Sequence, residues 1–183
     1  MAVRKLIVWT VIDAPLDVLG NAMTDARALA KDVPPPLWWR AEDPDALTAA
    51  WRAGALGRFE VVGGAGPVSR AWNTEITDGV PGMRVTTRGS LTGVGSWVHR
   101  RHLERAIGGR VRMVDEVVFV APRGVVDVLT ALARRGLVGV HRAITARTGG
   151  QGKEIGCYRV YRLSQANAEH AQDALAGGPD VVA

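Results

Sequence analysis

Between Arg58 and Val120 the chain repeats one pattern: a β-rich run of five to eleven residues, then a turn signal, then the next run. The runs are Arg58–Val62, Val68–Thr77, Met83–Leu91, Gly95–Arg105 and Arg110–Val120, separated by Gly63-Gly64, Asp78-Gly79, Thr92-Gly93 and Gly108-Gly109. Strands joined by turns at roughly ten-residue spacing pair with their neighbours in sequence, so the pattern predicts an antiparallel meander. A meander alone leaves one apolar face uncovered. After Ala121-Pro122-Arg123-Gly124 comes a helical pattern over 125–147 closed by Gly149-Gly150. Val125, Val128, Leu129, Leu132, Gly136, Val140 and Ile144 are assigned to its apolar side, with Arg134, Arg135, His141, Arg142 and Arg147 mostly elsewhere.

Ahead of the meander, residues 3–12 are rich in β-branched and aromatic side chains and stop at Asp13-Ala14-Pro15, so they predict a strand. Asp13 is the expected cap of one helix or two short ones over Leu16–Lys31. Pro34-Pro35-Pro36 ends that region, since a proline inside a helix costs about 3 kcal/mol. Residues 37–57 are ambiguous beyond a short helix from Asp43-Pro44-Asp45 through Trp51, ending at Gly54 or Gly57. The expected division of the chain is a domain over 1–148 and an extension over 149–183 of unassigned role. Within the extension, Cys157–Leu163 predicts a strand and Ala168–Ala176 a short helix, with fraying from Gly177 on.

The order strand, helix pair, antiparallel strands, long helix is that of the helix-grip fold, and the local sequence resembles the START/Bet v 1-like (SRPBCC) superfamily. The residues that carry the resemblance are Val11-Ile12-Asp13-Ala14-Pro15, Ser96-Trp97-Val98-His99 and, above all, Gly109–Gly124 running into the long helix. It spans about residues 3–148 and implies an α+β fold, a curved antiparallel sheet wrapped around the C-terminal helix with a ligand cavity between them. Members bind lipids, sterols, polyketides and plant hormones, and some bacterial members are polyketide aromatases, cyclases or dehydratases. The superfamily shares no catalytic motif, so the resemblance implies a ligand class and leaves the reaction open.

Composition narrows the alternatives. The 183 residues are 47% hydrophobic and 22% charged, which suits one ordinary domain that needs no cofactor or partner to fold. With one cysteine, Cys157, there is no internal disulfide, and no apolar run is long enough for a signal peptide or spanning helix. The expectation is a cytoplasmic protein. The net charge is +5, and residues 1–148 carry 20 basic against 14 acidic side chains. The arginines are scattered, and no basic run or recognition motif supports nucleic-acid binding. An anionic small molecule or an acidic carrier protein is a better use of the surplus.

The chemistry-bearing residues cluster on the later strands. His99 and His102, three apart on a strand, face opposite ways and do not chelate one ion, so no metal is expected. Gly63-Gly64-Ala65-Gly66 leads to Pro67 and another strand, without the helix N-terminus a phosphate needs. Trp97, His99 and Arg101 share one strand face. If that face is the inner one, His99 is a candidate acid or base, with Asp115 or Glu116, one on each face of the next strand, to orient it or act itself. Arg88 and Arg101 are candidates to bind a carboxylate or enolate. The competing reading places these charges on a solvated outer face. Among six tryptophans, Trp72 and Trp97 are candidates for lining the cavity, and Trp38-Trp39 for gating it. These residues suit a cofactor-independent cyclase or lyase acting on a hydrophobic, polyketide-like intermediate. The alternative is a non-catalytic carrier or sensor of a hydrophobic small molecule.

Overall fold

The computed structural model describes residues 1–91, 94–149, 152–163 and 167, the side chains of 68, 69, 72, 91 and 152–157 excepted. The element order is β1 (Ala2–Ile12), α1 (Leu16–Met23), α2 (Ala26–Asp32), β2 (Leu37–Ala41), α3 (Pro44–Ala53), β3 (Gly57–Ala65), β4 (Val68–Val80), β5 (Arg84–Leu91), β6 (Gly95–Arg105), β7 (Val111–Ala121), α4 (Arg123–Arg147) and β8 (Gly152–Leu163). One antiparallel sheet holds all eight strands in the order β2-β3-β4-β5-β6-β7-β1-β8. The fold class is α+β, a helix-grip arrangement of sheet and long C-terminal helix.

Two short helices form where the sequence leaves one or two open. The chain enters α1 through Pro15, with no side-chain cap, because Pro15 itself holds the N-cap position and leaves Asp13 too far back. α2 is capped by Asp25, whose carboxylate accepts from the Ala28 N–H. α3 shows the signals expected of it: Asp43 accepts from the N–H groups of Asp45 and Ala46, Pro44 opens the first turn, and Gly54 ends it at φ 65°.

Two expected turns lie inside strands instead. Gly63 and Gly64 belong to β3, opposite Trp39 and Trp38 of β2, a strand the sequence reading does not assign. A large side chain across from a glycine covers the backbone that glycine leaves bare, which compensates for its poor strand propensity. Asp78-Gly79 belongs to β4, where the register shifts between Ile76 and Asp78, and the chain reverses after Val80 instead. Gly108 and Gly109 do form the β6–β7 turn, at φ 77° and 75°.

The sheet's inner face meets α4. On β1, Leu6, Val8, Thr10 and Ile12 point inward and are fully buried, and Met113, Asp115, Val117, Phe119 and Ala121 of β7 share that face. Burying each large aliphatic contributes about 1.5–3 kcal/mol. The stripe that α4 presents is rotated from the expected one: Val126, Thr130, Val140, His141, Ile144 and Thr145 are buried, while Val128 is 58% exposed. The helix packs on β1, β7 and β8. The inner face from β2 to β6 is covered unevenly: Ala41, Val61, Ile76, Val85 and Leu103 are buried, whereas Leu37, Trp39, Phe59, Trp97 and His99 are half-buried. These half-buried side chains outline the partly open stretch of the inner face, the groove.

β8, the described part of the extension, pairs along β1 from Val3↔Leu163 to Ile12↔Gly152. The expected helix at 168–176 and the chain beyond it lie outside the described residues.

Candidate functional site

At the border between the packed and open halves of the inner face, three elements converge on one carboxylate. Asp115 sits in the middle of β7 with no exposure, and strand alternation turns it inward together with Met113 and Val117. Arg101 is directly opposite on β6, and His99, two residues earlier, shares its face. Arg101 Nε donates to Asp115 Oδ1 at 2.8 Å and Arg101 Nη2 to Oδ2 at 3.1 Å, a bidentate pair. His99 Nε2 lies 2.6 Å from Oδ1. From above, His141 of α4 brings Nε2 to 2.7 Å from Oδ2, and its Nδ1 lies 2.9 Å from Thr10 Oγ1 on β1.

This arrangement decides the protonation of its members. Burial pushes the Asp115 carboxyl up, but the charges of Arg101 and His99, with hydrogen bonds from His141 and His99, outweigh it and hold the group well below the ordinary carboxylate range. Asp115 is thus an ionised acceptor at neutral pH, and every group that meets it donates. His99 Nε2 must carry a proton, and Nδ1 is the nitrogen turned away from the carboxylate. Among the described residues Nδ1 has no hydrogen-bond partner. His141 donates from Nε2 in the same way, and its Nδ1 shares a hydrogen bond with the Thr10 hydroxyl.

Exposure separates the members by role. The side chains of Asp115 and His141 are fully buried and that of Arg101 is 8% exposed, whereas His99 is 25% exposed. His99 is the group through which the cluster meets the groove. A metal does not fit among these groups. Each carboxylate oxygen already takes two donors, and the Arg101 guanidinium supplies the positive charge that a metal ion would bring.

Of the sequence candidates, the structure brings together His99, Asp115 and Arg101, with Trp97 beside them. The Trp97 indole lies flat across Gly89 of β5, where a Cβ would run into the ring. Glu116 faces the opposite side of the sheet, paired with Lys5. Arg88, opposite Glu75 and Val98, is on that outer side too and exposed. Trp39 lies on the groove side and meets Trp51 edge to face at 6.4 Å. Trp38 turns the other way and donates its indole N–H to the Gly66 carbonyl at 3.2 Å. The backbone of Trp72, on β4, is opposite Val61 of β3, and its side chain lies outside the described residues.

Sequence reasoning misses His141 and Thr10. It groups His141 with the arginines of α4, yet the spacing of this histidine from Val126, Thr130 and Leu137 keeps it on one helical stripe. Thr10, a polar residue between Val8 and Ile12 in the inward series on β1, carries the complementary signal.

Two further hollows lie away from the cluster. One, of about 620 Å³, is lined by Ala26, Arg27, Arg40, Glu60 and Val62 among others. The other, of about 420 Å³, lies by Ser90, Ser96, Val120 and Pro122.

The curved antiparallel sheet and its long C-terminal helix are a helix-grip fold that other solved structures share. Solved structures with the same fold include the aromatase/cyclase ZhuI from Streptomyces sp. R1128, with a TM-score of 0.62 and 16% identity over 80% of this chain and 94% of that one. The di-domain ARO/CYC StfQ from the steffimycin biosynthetic pathway matches with a TM-score of 0.55 and 11% identity, over 81% of this chain and 51% of StfQ. Ara h 8.0201 matches with a TM-score of 0.55 and 15% identity, over 80% and 97%. No protein-family model and no curated protein sequence matches the chain. Among the described residues, no helix is long and apolar enough to cross a membrane.

Proposed function

We propose that the chain is a cofactor-independent cyclase or lyase that folds a hydrophobic, polyketide-like intermediate in the groove beside α4 and loses water from it by acid–base chemistry at His99. The observation that carries this reading is the His99–Asp115 pair: an ionised, fully buried carboxylate holds the imidazole by Nε2 and leaves Nδ1 as the second ring nitrogen for proton exchange. The likeness to two aromatase/cyclases supports the substrate class.

The chemistry builds on that geometry. His99 Nδ1 takes a proton from a carbon between two carbonyls, and the C–H electron pair moves to a carbonyl oxygen as an enolate. The enolate carbon attacks a second carbonyl of the same chain, forming a C–C bond, and the new alkoxide takes the proton back from the imidazolium. A second deprotonation beside the new hydroxyl forms the double bond, and the hydroxyl leaves with a proton as water. Asp115 stabilises the imidazolium that forms in each cycle and fixes its orientation, as a positioning residue. Trp97, Trp39 and Phe59 supply flat apolar surface for the substrate chain. The surplus of basic side chains suits a substrate delivered on an acidic carrier protein.

The test is to incubate the purified protein with a linear poly-β-ketone thioester and follow it by mass spectrometry. The expected result is a cyclic product lighter by one water, formed faster than in buffer alone. Thioester that is bound and recovered unchanged identifies a carrier and overturns the enzymatic reading.

A further inference from the structure

β8 is the outermost strand of the sheet, and among the described residues nothing pairs with its free edge. A long, unprotected edge is a template for another strand. Near its start this one is irregular, for its register against β1 shifts between Trp9↔Cys157 and Val11↔Lys153. From Cys157 to Leu163 it is regular, seven consecutive pairs with no proline. This stretch also exposes apolar side chains: Tyr158 is 45%, Val160 46% and Tyr161 39% exposed.

The sequence of the regular stretch, Cys-Tyr-Arg-Val-Tyr-Arg-Leu, is self-complementary in one antiparallel register. Centred on Val160, it places Val160 against its own copy, Tyr158 against Arg162 and Arg159 against Tyr161. A two-fold axis normal to the sheet keeps each pair on one face. All four arginines of the two strands then meet tyrosines. A centre one residue earlier sets Arg159 against Arg159, and like charges directly opposite are destabilising. A centre one residue later sets Arg162 against Val160 and Arg159 against Leu163, where no arginine meets an aromatic ring.

Arginine on aromatic is already how this strand is held. The Arg134 guanidinium lies 4.7 Å from the centre of the Tyr158 ring and donates to its hydroxyl at 2.8 Å. Arg159 lies 5.7 Å from the Trp9 ring centre. The proposed pairing continues those stacks across the edge.

We propose that β8 is a dimerisation edge and that its partner is a second copy of this chain, paired antiparallel about Val160 to make one continuous sheet of both subunits. The two grooves lie well inside each subunit's sheet, so the inference is independent of the proposed reaction.

Sedimentation equilibrium on the full chain, over micromolar to sub-millimolar concentrations, tests it. The expected mass is twice that of one chain, and Val160→Lys, which sets two ammonium groups face to face, halves it. A wild-type chain that stays monomeric, as it would if residues 164–183 covered the edge, overturns the proposal. So does a Val160→Lys dimer as tight as wild type. Disulfide trapping in a Cys157→Ser background tests the register without weakening the edge. Val160→Cys is expected to cross-link to itself, and Arg159→Cys only to Tyr161→Cys. Efficient self-linking at 159 with none at 160 contradicts the register.

Discussion

Asp115 Oδ1 and His99 Nε2 are 2.6 Å apart, and the two residues come from neighbouring antiparallel strands. The contact is diagonal, since Asp115 faces Arg101 in the register and His99 faces Val117. One oxygen thus receives both His99 and Arg101, and the other receives His141 and the far end of Arg101. Four donor contacts saturate the carboxylate and leave His99 the only member facing the groove.

Arg101 is the group whose charge compensates the buried carboxylate. Replacing it with leucine keeps much of the volume and removes the guanidinium that pairs with both oxygens of Asp115. Removing one partner of a buried ion pair costs about 3–5 kcal/mol, so Arg101→Leu is expected to lower the urea midpoint by that equivalent at neutral pH. A change below about 1 kcal/mol, the worth of a surface pair, contradicts the buried pairing.

Acid should act on the same contact. The carboxyl of Asp115 titrates below its ordinary value of 3.8 in the folded chain, so folding favours its charged form. The stabilisation is complete above about pH 5 and is lost as pH falls through 3.8 toward the lower folded value. Urea unfolding from pH 6 down to about 3 is predicted to show a steeper loss for wild type than for Asp115→Asn. Parallel curves contradict the depressed titration.

Gly89 is required by its neighbour. A Cβ at position 89 enters the space of the Trp97 indole, and moving a ring packed between β5 and α4 costs about 1–3 kcal/mol. Gly89→Ala is expected to destabilise the fold by that order and to change the tryptophan emission. Unchanged emission and stability contradict the placement of the ring.

The fold was legible because its signals are local. Tight turns and a long amphipathic helix in fixed order define a meander with a cover, and the Gly95–Arg105 strand emerged with its expected bounds. The two misplaced turns, at Gly63-Gly64 and Asp78-Gly79, show where that logic stops. Glycine marks a turn only if no cross-strand neighbour covers it, and Trp38 and Trp39 do so from a strand the sequence did not announce. The site was half legible for the same reason. Alternation along β6 and β7 grouped Trp97, His99, Arg101 and one of Asp115 and Glu116 onto a common face, but choosing the inner carboxylate needed the register of the sheet. His141 reaches Asp115 from 26 residues away in sequence and Thr10 meets His141 from 131, meetings set by the rotation of α4 about its axis.

Whether His99, held by Asp115, is the base at the groove is decided by kcat for water loss from the poly-β-ketone thioester, compared between wild type and His99→Gln. The glutamine amide keeps a donor for Asp115 but has no lone-pair nitrogen, so binding and stability should be nearly unchanged. The expected fall in kcat is about 10²–10⁴-fold, the usual worth of a positioned general base. A variant that turns over within about twofold of wild type, well short of that range, contradicts the assignment.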